Sequence, residues 1–212
     1  GLEMSVWFLG GGSNGKTVLS EMIAAVLGKV EDGGVHSSLP ISSLCKGRGV
    51  NNDSMSDAVR ARHLTVSEID PNTQINEAGF RALVSGEEMH LKKMYKSETK
   101  CRPRCKVSMF VNSVPEWQNK GAHHTRRRNV YFPMERIWVD EGKAADRLQM
   151  ESLIEQGKGC WIAQKDIFYF RDKVEPHSVS FLRFFVLGAM EFYRKGNIEV
   201  PPSLNEFQER EL

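Results

Sequence analysis

Two rhythms of apolar and polar positions run along this chain. Ser5 to Leu9 (SVWFL) is a short apolar run, the pattern of a buried β-strand. A glycine-rich stretch follows it. From Lys16 to Leu27 the spacing switches to a helical one, with Val18, Leu19, Met22, Ile23, Val26 and Leu27 on an apolar stripe and Gly28 as the stop. Residues 31–53 are rich in Gly, Ser and Asn and read as loop, with a short strand near Leu39 to Leu44. Met55 to Arg62 fits a short helix. His63 to Val66 (HLTV) reads as a second buried strand that delivers Ser67, Glu68, Ile69 and Asp70 at its carboxyl end.

Asn76 to Val84 has helical spacing. Val107 to Val111 (VSMFV) is a third strand, ending in Asn112, and Asn129 to Phe132 (NVYF) is a fourth. Beyond Pro133 the character changes. Ala144 to Gln156 and Phe181 to Lys195 read as helices, and Ser203, with Glu206 three residues on, is expected to cap a last one. The order predicts an α/β core over residues 1–135 and a helical C-terminal lobe over 136–212. A strand so close to the first residue is expected of a fragment cut from a longer protein.

Composition narrows this picture only a little. The chain has 212 residues, 40% hydrophobic and 26% charged, ordinary values for a globular protein with a real core. The net charge of +2 names no partner, so any nucleic-acid signal must be local. The four cysteines do not form a disulfide framework in a chain of this length. Cys101 and Cys105, with His123 and His124 nearest, lack the paired spacing of a zinc site and read as reduced thiols. No apolar run reaches membrane-spanning length and no signal peptide is present, so an intracellular protein without a membrane partner is expected.

The chemistry concentrates at Gly10, Gly11, Gly12, Ser13, Asn14, Gly15, Lys16 and Thr17. GGGSNGKT satisfies G-x-x-x-x-G-K-[ST] at each required position, between a predicted strand and a predicted helix. Backbone amides that wrap phosphate oxygens need small side chains. The helix start adds a positive dipole end, Lys16 a cation for the β- and γ-phosphates, and Thr17 a hydroxyl for Mg²⁺. The expected fold is therefore a P-loop NTPase of AAA+/RecA-like kind. Hydrolysis also needs a carboxylate to hold the metal or orient water. Glu68 is the first candidate and Asp70 the second. Asn112 is placed to sense the γ-phosphate or position the attacking water.

Between Met89 and Lys106 the basic residues are Lys92, Lys93, Lys96, Lys100, Arg102, Arg104 and Lys106, with Glu98 the one acid and Tyr95 among them. Such a run suits a phosphate backbone, or a solvated face balanced elsewhere; composition leaves both open. Arg126, Arg127 and Arg128 are likewise open to nucleic acid, to a neighbouring subunit's nucleotide, or to solvent.

Together these residues resemble a superfamily 3 helicase of the viral and phage primase-helicase type found in poxviruses and other large DNA viruses. GGGSNGKT is similar to that family's Walker A, with Asn before Gly-Lys. HLTVSEID is similar to its Walker B, matching Glu68. LPISSLCK resembles the segment leading to its second strand. Leu83 to Pro115 resembles a longer block holding a Gly-acid turn, a basic pair before Tyr95, and a strand ending in the sensor, Asn112. Phe181 to Leu204 resembles the helical segment after the ATPase core. Val139 to Pro176 carries the likeness least. The sequence departs from the family at RRRNVYFPM, where a paired-Arg motif is usual, and at Glu88, where Asp is common.

The resemblance implies an ATP-dependent DNA helicase using ATP and Mg²⁺ between subunits of a homo-oligomeric, hexameric ring. Lys16, Glu68 and Asn112 would act from one subunit and Arg127 from the next, with Arg126 and Arg128 as alternatives. Thr17, Glu68 and Asp70 would surround the metal. The basic block would form a β-hairpin gripping single-stranded DNA through Lys92, Lys93 and Lys96. A primase segment is expected upstream on the full-length chain. The setting would be a viral replication site in host cytoplasm or nucleus, or the bacterial cytoplasm for a phage. Two other classes fit the residues: another P-loop ATPase, such as a packaging motor or small-molecule kinase, and a nucleotide-binding scaffold of a replication complex.

Overall fold

The structure, a computed structural model, describes residues 3–45, 55, 58–67, 74–91, 99–117, 127–140, 144–162 and 170–211. The centre is a five-stranded sheet. Its strands are β1 (Ser5–Leu9), β2 (His36–Pro40), β3 (His63–Ser67), β7 (Lys106–Val111) and β9 (Asn129–Pro133), in the order β2-β3-β7-β1-β9, all parallel. The register pairs Leu9 with Val111 and with Pro133, so β1 ends level with both neighbours. Shorter strands lie outside this sheet: β4 (Gln74–Ile75) beside β8 (Glu116–Trp117), β5 (Met89–Leu91) beside β6 (Thr99–Cys101), and β10 (Ile137–Asp140) beside β11 (Gly159–Ile162). The described helices are α1 (Lys16–Leu27), α2 (Glu77–Ser85), α3 (Ala144–Glu155), α4 (Ser178–Lys195) and α5 (Pro202–Glu211).

Alternation along the strands gives the sheet two unlike faces. Trp7, Leu9, Leu39, Leu64, Val66, Val107, Met109, Val111 and Tyr131 point to one side and form the main core with Phe80 and Leu83 of α2. Trp7 is fully buried there and meets Phe80, Trp117 and Tyr131 at ring-centroid distances of 5.8, 5.9 and 5.5 Å. Tilted aromatic pairs of this kind each add about 0.5–1.5 kcal/mol beyond their area. The residues between them face α1 on the other side: His36, Ser38, His63, Thr65, Ser67 and Ser108 make its β2–β3 half polar, while Phe8, stacked on Phe110 and Phe132 at 4.7 and 5.7 Å, makes the β1–β9 half aromatic. None of the α1 residues is fully buried, so this side is filled less completely than the other.

Several boundaries differ from expectation. The second strand is His36–Pro40, and Ile41–Leu44 is a 3₁₀ turn. Val18 leaves the apolar stripe and is 47% exposed. Ser203 lies within α5; Pro202 opens that helix, because its fixed φ suits the first helical position. The C-terminal part is not helix alone. β10, α3 and β11 form a small parallel unit, where Gly159 lies so close to Met150 and Ile154 that a side chain would collide with both. Of Met55–Arg62 the structure describes only parts. Among the described residues no helix is long and apolar enough to cross a membrane.

Candidate functional site

The glycine-rich loop leaves β1 and enters α1, and both sides of it are tied down. The Gly10 amide donates to the Val111 carbonyl at 3.3 Å, the Met134 amide to the Leu9 carbonyl at 2.6 Å, and the Trp138 amide to the Ser13 carbonyl at 2.6 Å. Asn14 is 4% exposed; its Nδ2 donates to the Met134 carbonyl at 3.1 Å. A Cβ on Gly10 would strike both Asn14 and the Met134 carbonyl, so this position admits no side chain. Gly15 holds φ 84° and caps α1. Gly11 and Gly12 face open space.

The start of α1 carries no acidic residue in its first turn and no side-chain cap. Its first amides and the positive dipole end are therefore available to an anion. Lys16 folds back over the loop. Its Nζ donates to the carbonyls of Gly10 and Gly11, the latter at 2.7 Å, and to Asn14 Oδ1 at 2.9 Å. Burial lowers the pKa of this ammonium below its ordinary value. The loop thus presents a cation held on acceptors that phosphate oxygens can replace.

Asn112 enters through tertiary structure. It follows Val111, the partner of Leu9, and so stands exposed beside Gly10 at the carboxyl edge of the sheet. Lys16, Thr17, Ser67 and Asn112 line one cleft of about 550 Å³. The chain leaves β1 toward α1 on one face of the sheet. It leaves β7 toward Trp117, which packs on Trp7 on the other face. The cleft between β1 and β7 is therefore a topological switch point, where open α/β sheets bind ligands.

The arginines lie at the opposite edge. Arg128 precedes β9, its carbonyl accepts from the Ser5 amide at 2.7 Å, and its guanidinium pairs with Glu3 at 3.1 Å. That side chain is 11% exposed, and its hydrogen bond holds the Glu3 carboxyl below the ordinary range. Arg127 is exposed. A five-residue strand separates both from the loop, about 16 Å at 3.3 Å per residue. Arg126, Glu68, Asp70, Lys92, Lys93 and Lys96 fall outside the described residues. The arms flanking 92–98 form an antiparallel ribbon with Met89 opposite Cys101.

The sequence reading missed a buried polar chain on the α1 side. His36 Nδ1 meets His63 Nδ1 at 3.1 Å, the rings stack at 5.3 Å, and His63 Nε2 meets Ser108 Oγ at 2.9 Å. Desolvation, then the neighbouring His36, pushes His63 down to about 4. The Thr65 hydroxyl, 2% exposed, has no hydrogen-bond partner among the described residues and lines the cleft. The signal was the polar alternation His63-Thr65-Ser67 inside an apolar run.

No curated protein matches this chain. The solved structures similar to it include two A form apo structures of the NrS-1 C-terminal region. One shares 10% identity at a TM-score of 0.42, covering 63% of this chain and 29% of that one. The other shares 12% at 0.44, covering 98% and 53%. The chain spans about half or less of the length of these structures. Residues 8–128, more than half of the chain, match the family described as a family of unknown function, DUF5906, and the chain belongs to that family.

Proposed function

We propose that this chain is the ATP-hydrolysing motor segment of a replicative DNA helicase. The observation that carries the reading is the cradle at the switch point. An unneutralised helix start, a folded-back Lys16 and the exposed Asn112 converge at the carboxyl ends of β1 and β7. Backbone amides of Gly11 to Thr17 bind the phosphates, and Lys16 exchanges its carbonyl partners for phosphate oxygens. Asn112 orients the attacking water or the terminal phosphate. The exposed Thr17 hydroxyl, with Glu68 or Asp70, would hold Mg²⁺, which would supply positive charge against the phosphates.

Arg127 belongs to a different cradle from its own. At the far edge of the sheet it is about 16 Å from its own loop, so it serves a nucleotide on another copy, as a ring requires. Lys92, Lys93 and Lys96 contact the phosphates of single-stranded DNA. The deciding experiment measures ATP turnover with and without single-stranded DNA, together with particle mass in ATP. DNA-stimulated turnover by an oligomer is expected. Turnover indifferent to DNA favours a kinase or other P-loop ATPase, and assembly without turnover favours a scaffold.

A further inference from the structure

The cradle has two unlike ends. β7 and β9 flank β1 on opposite sides, roughly 10 Å apart across the sheet. Asn112 and Ser67 stand on the β7 side, where terminal-phosphate chemistry belongs. On the β9 side stands Trp138, in the first strand beyond β9.

Trp138 is 44% exposed and its strand neighbour Val139 is buried at 7%, so alternation along β10 turns the indole to the open face. Its backbone amide is fixed on Ser13. Its indole Nε1 lies 3.7 Å from where a Gly15 Cβ would be, so the pyrrole edge faces the loop and the rest of the ring extends away from it. Among the described residues that N–H has no acceptor. Val18, 47% exposed, sits one helical turn from Gly15 on a neighbouring face of α1. An exposed indole and an exposed valine thus border the phosphate loop on the side away from Asn112.

We infer that Trp138 is the stacking platform for the base of the bound nucleotide, with Val18 beside it. The inference rests on the phosphate reading of the Gly10–Thr17 loop and adds to it the way the base is held. A nucleotide whose terminal phosphate points to Asn112 carries its base toward β9, where Trp138 offers a π-face. Stacking has no base-edge readout, so it favours purines by overlap area and separates adenine from guanine poorly. Trp138 is a binding residue of broad purine selectivity, not of ATP selectivity.

The test compares wild type and Trp138→Ala for binding of ATP, GTP, UTP and inorganic tripolyphosphate, each with Mg²⁺, by titration calorimetry. The substitution keeps the backbone bond to Ser13, and tripolyphosphate reports whether the loop is intact. The expected result is about ten-fold weaker ATP and GTP binding, a smaller loss for UTP, and unchanged tripolyphosphate. Trp138→Phe should restore most of the purine affinity. An equal loss for all four ligands, or no loss for any, overturns the stacking role while leaving the phosphate loop standing. A wild-type chain that binds none of them overturns the phosphate reading, and this inference with it.

Discussion

The Asn14 side chain ties the glycine-rich loop to the segment beyond β9: its Nδ2 donates to the Met134 carbonyl at 3.1 Å, while its Oδ1 accepts from Lys16. One buried amide therefore positions both the loop and its cation. Replacing it by Ala leaves the Met134 carbonyl and the Lys16 ammonium short of a partner. Asn14→Ala should cost about 1–3 kcal/mol of stability, measured by urea unfolding, and weaken ATP binding as well.

Lys16→Ala should leave the unfolding midpoint nearly unchanged, since the side chain rests on loop carbonyls rather than in the core. Turnover should fall by about 10²–10³-fold, the usual scale for removing one electrostatic stabiliser. An ATPase assay that finds turnover retained rejects the site.

The glycines of the loop should separate by role. Gly10→Ala collides with Asn14 and the Met134 carbonyl and should lower Tm. Gly12→Ala meets nothing within 4 Å and should leave stability within about 0.5 kcal/mol. Its new methyl nonetheless occupies the side that phosphate would approach in the proposed site, so ATP affinity should drop. Differential scanning fluorimetry with and without ATP reads both.

The adjacent arginines should part in the same way. Arg128→Ala breaks the pair with Glu3 and should lower Tm. Arg127→Ala should leave Tm alone and remove turnover while ATP still binds. Mixing Arg127→Ala with Glu68→Gln should restore some activity if copies share sites; no recovery in mixed assemblies counts against an arginine acting on a neighbour.

Acid should unfold this protein through the histidine pair. Burial pushes folded His63 down to about 4, against an ordinary value of 6.5, and burial, then Lys29, also disfavours charge on His36. Between those two pH values the unfolded chain binds more protons, so stability falls with acidification. The contribution is complete above about pH 6.5 and lost as pH drops through about 4. It amounts to something on the order of 3 kcal/mol. When both rings are charged, two N–H groups face each other where one proton was shared. His63→Gln should flatten the dependence of urea midpoints between pH 7 and pH 4.5.

What the sequence determined by itself was local. β1, the loop and α1 have their expected bounds, Ser5–Leu9 and Lys16–Leu27, because the apolar run, the glycines and the helical stripe lie next to one another in the chain. Gly28 and Gly86 stop their helices because each takes a positive φ, 66° and 68°, that other residues resist. Tertiary structure decided what depends on strand order. β7 lies beside β1 although about a hundred residues separate them, and only that neighbour relation brings Asn112 to Gly10. Crossovers on both faces fix that order, and no local pattern of residues encodes it. The same packing sets Arg127 at the far edge, joins His36 to His63, and stands Trp138 against the loop whose sequence motif never mentioned it.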